Sequence, residues 1–234
     1  AKSFGFDPSA EEGERQAAAR QWLEWGSGRD AVIVGELPET SMIALFNGRD
    51  LNGWTVFENG AVVQAQKSWK AEAGALISVG QGFGDIRTNT AFENYVLTMK
   101  YKIDGAFGDG GIGVMLTKEN EERAIGLRRD AGSYLEVQLL PKRTGDLYLI
   151  NGFQAKSGGR AIQFSSRRTA EADDQSGKWH ELKLTVRDGS AEIELNGTVV
   201  NRATDGSKGP GKIVLRNEGA RIMYKDILVL PVTP

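Results

Sequence analysis

From Met42 onward the chain alternates apolar and polar residues with the two-residue period of β-strands, broken at short intervals by turn residues. Tyr95, Leu97, Met99, Tyr101 and Ile103 interleave with Val96, Thr98, Lys100 and Lys102, which predicts one buried face and one mostly wet face. Leu182, Leu184 and Val186 interleave with Lys183, Thr185 and Arg187 in the same way. The next strand, Ala191 to Leu195, runs into Asn196-Gly197, the best short hairpin signal in the chain, and Val199 and Val200 return from it. Further strands are predicted at Trp69 to Ala71, Leu76 to Val79, Gly111 to Thr117, Ala124 to Leu127, Leu147 to Ile150, Ile213 to Arg216 and Arg221 to Leu230. Regular short strands without intervening helices predict two antiparallel sheets packed face to face. The stretch from Asn151 to Lys178, where only Ala161 to Phe164 resembles a strand, reads as a long loop.

The N-terminal part has a different pattern. Residues 7–25 predict a short helix: Asp7 caps it, Pro8 suits its first turn, Glu11, Glu12 and Glu14 favour its positive end, and Gly26-Ser27-Gly28 stops it. Ala18, Trp22 and Trp25 form an apolar stripe that either docks on the main domain or serves as a contact arm. Ala31 to Val34 reads as a short strand. The predicted organisation is therefore a helical extension over 1–40 and a sandwich domain over 41–234.

Composition narrows the chemistry. With 234 residues and a net charge of -2, the chain has no basic surplus for nucleic-acid phosphates. No apolar run reaches the length of a membrane span. The absence of cysteine removes disulfides and thiol nucleophiles, and a single histidine, His180, rules out a multi-histidine metal centre. No cofactor and no metal are expected. Asp104, Asp109 and Glu119 flank a glycine-containing turn that reads as a calcium loop or as a solvated turn, its spacing fitting no known signature. The first residues, Ala1-Lys2-Ser3, are those expected of a processed periplasmic or secreted product, or of a trimmed chain.

One strand carries polar groups that a fold alone does not require. In Ser133 to Leu140, Leu135, Val137 and Leu139 fall on one face, while Tyr134, Glu136 and Gln138 share the other. That second face is either a solvated exterior or a surface that touches a ligand.

Several segments, taken in order, resemble the 3-keto-disaccharide hydrolase domains, a family built on a concanavalin-like jelly roll. They are Leu45-Phe46-Asn47-Gly48-Arg49-Asp50-Leu51-Asn52-Gly53-Trp54, Trp69 with Gly74-Ala75-Leu76, and Arg87-Thr88 with Phe92, Tyr95 and Leu97. Tyr134 to Gln138 comes next, with Thr144-Gly145-Asp146-Leu147-Tyr148 behind it. Lys178-Trp179-His180, Asn196-Gly197 and Gly211-Lys212-Ile213 to Ile227 complete the series. The resemblance implies an all-β, two-sheet antiparallel jelly-roll sandwich and a carbohydrate ligand. This chain departs from the family's usual pattern in places: Gly111-Ile112-Gly113 stands for Asn-Ser-Gly, Arg216 for Gln, Glu218 for His, Tyr224-Lys225-Asp226-Ile227 for Phe-Arg-Asn-Ile, and His180 for Asn.

The chemistry is set by residue types. A conventional jelly-roll glycosidase sets two carboxylates about a glycosidic bond, whereas this strand offers Glu136 and then Gln138. A 3-keto sugar needs one base, because the ketone acidifies the neighbouring C2 hydrogen. Glu136 is the candidate base, and Arg216, on the face opposite Ile213 and Leu215, either stabilises the enolate or forms a structural ion pair with Glu136. Gln138, Arg87, Tyr134, Tyr148, Lys225 and His180 are candidate substrate-binding residues, with a surface role open for Lys225 and a structural one for His180. Trp54 and Trp69 are assigned to the core. A sugar-binding module without turnover and a partner-binding jelly roll are the alternatives.

Overall fold

The computed structural model describes residues 42–58, 61–62, 67–80, 83–105, 109–122 and 132–233. The predicted helix over 7–25, the strands at 31–34 and 124–127, and the boundary at residue 40 lie outside these residues. In chain order the elements are β1 (Ile43–Ala44), β2 (Trp54–Glu58), β3 (Ala61–Val62), β4 (Trp69–Glu72), β5 (Ala75–Val79), β6 (Gly84–Thr88), β7 (Tyr95–Asp104) and β8 (Gly110–Thr117). After the single-turn α1 (Lys118–Glu122) come β9 (Tyr134–Leu139), β10 (Leu147–Ile150), β11 (Lys156–Ser157), β12 (Arg160–Ala161) and β13 (Ser165–Ser166). The chain closes with β14 (His180–Arg187), β15 (Ser190–Leu195), β16 (Thr198–Ala203), β17 (Gly211–Asn217) and β18 (Arg221–Pro231).

These strands form the two antiparallel sheets expected from the alternation. One runs β16-β15-β14-β7-β18-β5-β4, with β1 paired to the far end of β18, and the other runs β13-β10-β9-β8-β17-β6-β2-β3. Nearest sheet neighbours are frequently distant in sequence, as β7 between β14 and β18 shows. That interleaving is what makes the sandwich a jelly roll and not a stack of hairpins. The β15–β16 hairpin is the one predicted, with Asn196 at φ 49° and Gly197 at φ 81°, the two positive values of a type I′ turn.

The core lies between the sheets. Tyr95, Leu97, Met99, Tyr101 and Ile103 of β7 and Leu182, Leu184 and Val186 of β14 face Leu135, Val137 and Leu139 of β9 and Ile213 and Leu215 of β17 in one buried cluster. Each fully buried aliphatic side chain contributes about 1.5–3 kcal/mol relative to an exposed one. Trp54 and Trp69 belong to this core, and the Trp54 indole donates to the Leu45 carbonyl at 2.6 Å, fastening the opening segment to β2. A second, small cluster of Leu116, Tyr134 and Val214 sits apart from the main core. It marks the opposite face of the β9 sheet, where the polar residues of β9 point.

The stretch from Asn151 to Lys178 is more ordered than its sequence suggests. It contains the β11–β12 hairpin and then β13, which pairs with β10 through Leu147 and Tyr148. Arg168 fixes the chain just beyond β13, pairing with Asp174 at 3.0 Å while its backbone N–H donates to Asp146. Asn201 of β16 donates to the carbonyls of Gly145 and Arg167, so the segment ties the edges of the two sheets together. Among the described residues no helix is long and apolar enough to cross a membrane.

Candidate functional site

Register decides which side chains meet on the outer face of the β9 sheet. Glu136 is paired with Tyr148 of β10 on one side and Gly113 of β8 on the other. Gln138 is paired with Gly111, Gly111 with Arg216 of β17, and Arg216 with Asp85 of β6. Directly opposed residues of neighbouring antiparallel strands share a face. Two rows therefore cross the sheet: Tyr148, Glu136, Gly113, Val214 and Arg87 in one, and Gln138, Gly111, Arg216 and Asp85 in the next.

Glu136 and Arg216 lie on strands separated by β8, yet they touch. The contact exists because Gly111, between them, has no side chain: a Cβ built there would stand only 2.7 Å from Glu136 Cδ and Cγ. Gly113 does the same for Tyr134, whose ring passes 2.6 Å from where its Cβ would be. Both β9 side chains thus lean over β8 toward β17. Glu136 Oε2 accepts from Arg216 Nη1 in a charge-assisted bond, and the two residues are 2% and 3% exposed.

Arg216 is held on every side. Its Nη2 donates to Glu218 at 2.8 Å, and its Nε lies 3.6 Å from Asp85. Three carboxylates thus surround one guanidinium. A second cation, Arg87, stacks 4.0 Å over the Phe57 ring and pairs with Asp85 at 3.4 Å and Glu121 of α1 at 3.3 Å. Lys212 reaches the same Glu121 at 2.9 Å. Gln138 donates to Asp109 and to the Gly110 carbonyl, the latter at 3.3 Å. Tyr134 stands in this field fully buried, its hydroxyl without a hydrogen bond among the described residues. Burial first, and then the carboxylates of Asp85 and Glu136, push its phenol well above the ordinary range, so it stays protonated.

The expected candidates divide cleanly. Glu136, Arg216, Gln138, Arg87 and Tyr134 come together, and Tyr148 adjoins them on β10, accepting from Arg143 at 2.7 Å. Lys225 and His180 are not brought to this cluster, because β18 and β14 belong to the other sheet. Lys225 lies 4.5 Å from the Trp179 ring. His180 is buried between two loop contacts, with Asn196 Nδ2 donating to its Nδ1 at 3.1 Å and its Nε2 left to donate to the Gln175 carbonyl at 2.9 Å. Asp85, Glu218 and Glu121 were not singled out by sequence for this site. The signal for Asp85 is the register of β6 against β17, which no single strand carries, whereas Glu218 lies two residues along from Arg216 and Glu121 comes from α1.

The arrangement places the Glu136 carboxylate against a guanidinium with further carboxylates behind it. A two-carboxylate glycosidase needs its acids on opposite sides of a bond, and here a guanidinium occupies the space where they converge. What the cluster offers is one carboxylate and one guanidinium in contact, groups of the kind that can accept a proton and stabilise a neighbouring anion. Among the described residues no group of His, Asp or Glu side chains is placed to hold a metal ion.

Gly111→Ala is the sharpest local test of this geometry. The added methyl displaces the Glu136 carboxylate from Arg216, and a loss of about 2–4 kcal/mol in denaturant unfolding is expected. A variant as stable as the parent would show that Glu136 has room to lean elsewhere.

Comparison with known proteins places these features. The fold matches a candidate glycosyl hydrolase from Parabacteroides distasonis at 19% identity and a TM-score of 0.59, covering 82% of this chain and 95% of that one. It also matches the carbohydrate binding module CBM66 from Bacillus subtilis at 15% identity and a TM-score of 0.52, over 75% of this chain and 93% of that one. A third match is the endo-beta-1,3(4)-glucanase SCLam, at 12% identity and a TM-score of 0.53, over 84% and 89% of the two chains. At such identities the likeness is one of fold: the jelly roll shared by glycosyl hydrolases and carbohydrate-binding modules. No curated protein matches the chain. Residues 41–230, which hold the described sandwich through all but the last residue of β18, match the 3-keto-alpha-glucoside-1,2-lyase-like domain, and the chain belongs to that family.

Proposed function

We propose that this protein acts on 3-keto glycosides, with Glu136 as the base that starts elimination. The Glu136 carboxylate takes the proton from C2, and the C2–H electron pair moves toward the C3 ketone to give an enolate. Collapse of the enolate forms the C1–C2 double bond as the C1–O bond breaks, and the leaving group departs with that electron pair. Water then adds across the double bond, hydroxyl to C1 and proton to C2, which completes hydrolysis.

The observation that carries this reading is the contact between Glu136 and Arg216 over Gly111. Proton transfer moves one negative charge from Glu136 to the enolate oxygen. Arg216 can follow that charge while keeping Glu218 and Asp85, so the site's net charge does not change. Gln138 holds a sugar hydroxyl or orients the carboxylate, and Arg87 supplies a second positive group nearby. Substrate entry requires the enclosed carboxylate to be uncovered.

That enclosure favours a second reading, a carbohydrate-binding module without turnover. Glu136, Gln138 and Arg216 are all buried. A product assay beside calorimetry, both on a 3-keto glucoside, separates the two. Release of the aglycone with formation of free 3-keto glucose supports the enzyme. Saturable heat without product supports the module, and neither signal sinks both.

A further inference from the structure

The structure assigns an aromatic subsite beside Glu136, formed by Phe164 and Tyr148, that takes the aromatic ring of an aryl leaving group. This rests on the proposed elimination, whose leaving group must lie next to the base. Phe164 is 65% exposed, an apolar ring that the core does not use. It is held in place all the same: its carbonyl accepts from Leu149 of β10, and its ring meets Tyr148 edge-on, with centroids 5.6 Å apart and planes at 87°. One side of the Phe164 ring is therefore fixed and the other is open.

Tyr148 links this ring to the base. It is directly opposite Glu136 across the β9–β10 pair, on the same face, with Cβ atoms roughly 5 Å apart by ordinary cross-strand spacing. A pyranose with C2 over Glu136 thus projects its C1 substituent either toward Tyr148 and Phe164 or toward β17. The second direction is filled by Arg216 and the carboxylates around it. The first direction leads to an exposed aromatic face.

Two further features select the substituent. Arg143, one-third exposed, donates from Nε to Asp146 and from Nη2 to the Tyr148 hydroxyl, which locks the Tyr148 ring and leaves Nη1 for a ligand. In addition, the carboxylates of Asp85 and Glu218 are turned to Arg216, and Asp85 also to Arg87, so their oxygens are engaged by guanidinium groups and are not aimed at a departing oxygen on the Tyr148 side. A phenolate leaves without such help far more readily than a sugar alkoxide, because a phenol's pKa is about 10. An aromatic ring on Phe164 satisfies both the surface and the chemistry.

Equilibrium binding of unoxidised glucosides tests this without relying on turnover. Phenyl glucoside should bind wild type and Glu136→Gln about five- to tenfold more tightly than methyl glucoside, the scale of one aromatic contact. Phe164→Ala should erase that difference and Phe164→Trp should keep it, and the exposure of the position allows both variants to fold. Equal affinity of phenyl and methyl glucosides for wild type, or an undiminished preference in Phe164→Ala, overturns the subsite. A disaccharide that outcompetes phenyl glucoside and loses affinity in Phe164→Ala overturns the aryl class in favour of a sugar leaving group. Absence of turnover with the phenyl preference intact would instead count against Glu136 as base and leave the subsite standing.

Discussion

Glu136→Gln should reduce turnover of a 3-keto glucoside by about a thousandfold in kcat/KM, within the range a positioned general base supplies. The amide has nearly the shape of the carboxylate but cannot accept the C2 proton. It also keeps an oxygen for Arg216 Nη1, and Arg216 retains Glu218 and Asp85, so the cluster stays assembled. Circular dichroism and the thermal midpoint should therefore stay close to the parent, with a stability change of about 1–2 kcal/mol from the lost charge on one hydrogen bond. Turnover at the parental rate in a folded Glu136→Gln protein would remove the residue from its role.

Arg216→Met is expected to have the largest effect on stability, about 3–5 kcal/mol in denaturant unfolding. Methionine fills part of the volume, but Glu136, Glu218 and Asp85 then face one another without the cation that holds them together. The combined Glu136→Gln and Arg216→Met variant should lose less than the sum of the two single changes, since one of the stranded charges is already gone. Additive losses, or a nearly neutral Arg216→Met, would mean that the carboxylates find solvent or other partners and that the guanidinium does not organise the site.

Much of the sandwich was legible along single strands. In β7 and β14 the alternation of large apolar and charged residues is the same alternation as the burial, since a strand between two others has only an inward and an outward face. The Asn196-Gly197 turn was legible because its positive φ values select those residue types. β9 keeps the alternation of facing, but both of its faces are buried, so burial there did not follow from the pattern. Harder to read were features that depend on which strands are neighbours. Lys225 lies on β18 and His180 on β14, and only the interleaved strand order puts both in the sheet opposite β9. Asp85 meets Arg216 through cross-strand register, Glu218 reaches it from two residues further along the chain, and Phe164 gains its place from a loop whose order comes from Arg168 and Asn201. Without a distinctive sequence pattern of its own, that loop resembled any polar connection.

The bare backbone at Gly111 also ties two neighbouring positions of the sheet together. Gly111 stands directly opposite Arg216, and a side chain there would occupy the space through which Glu136 reaches across β8, leaving the enclosed guanidinium without that partner. What residue 216 can be thus depends on how little stands at 111, and substitutions at the two positions are expected to be coupled and not independent.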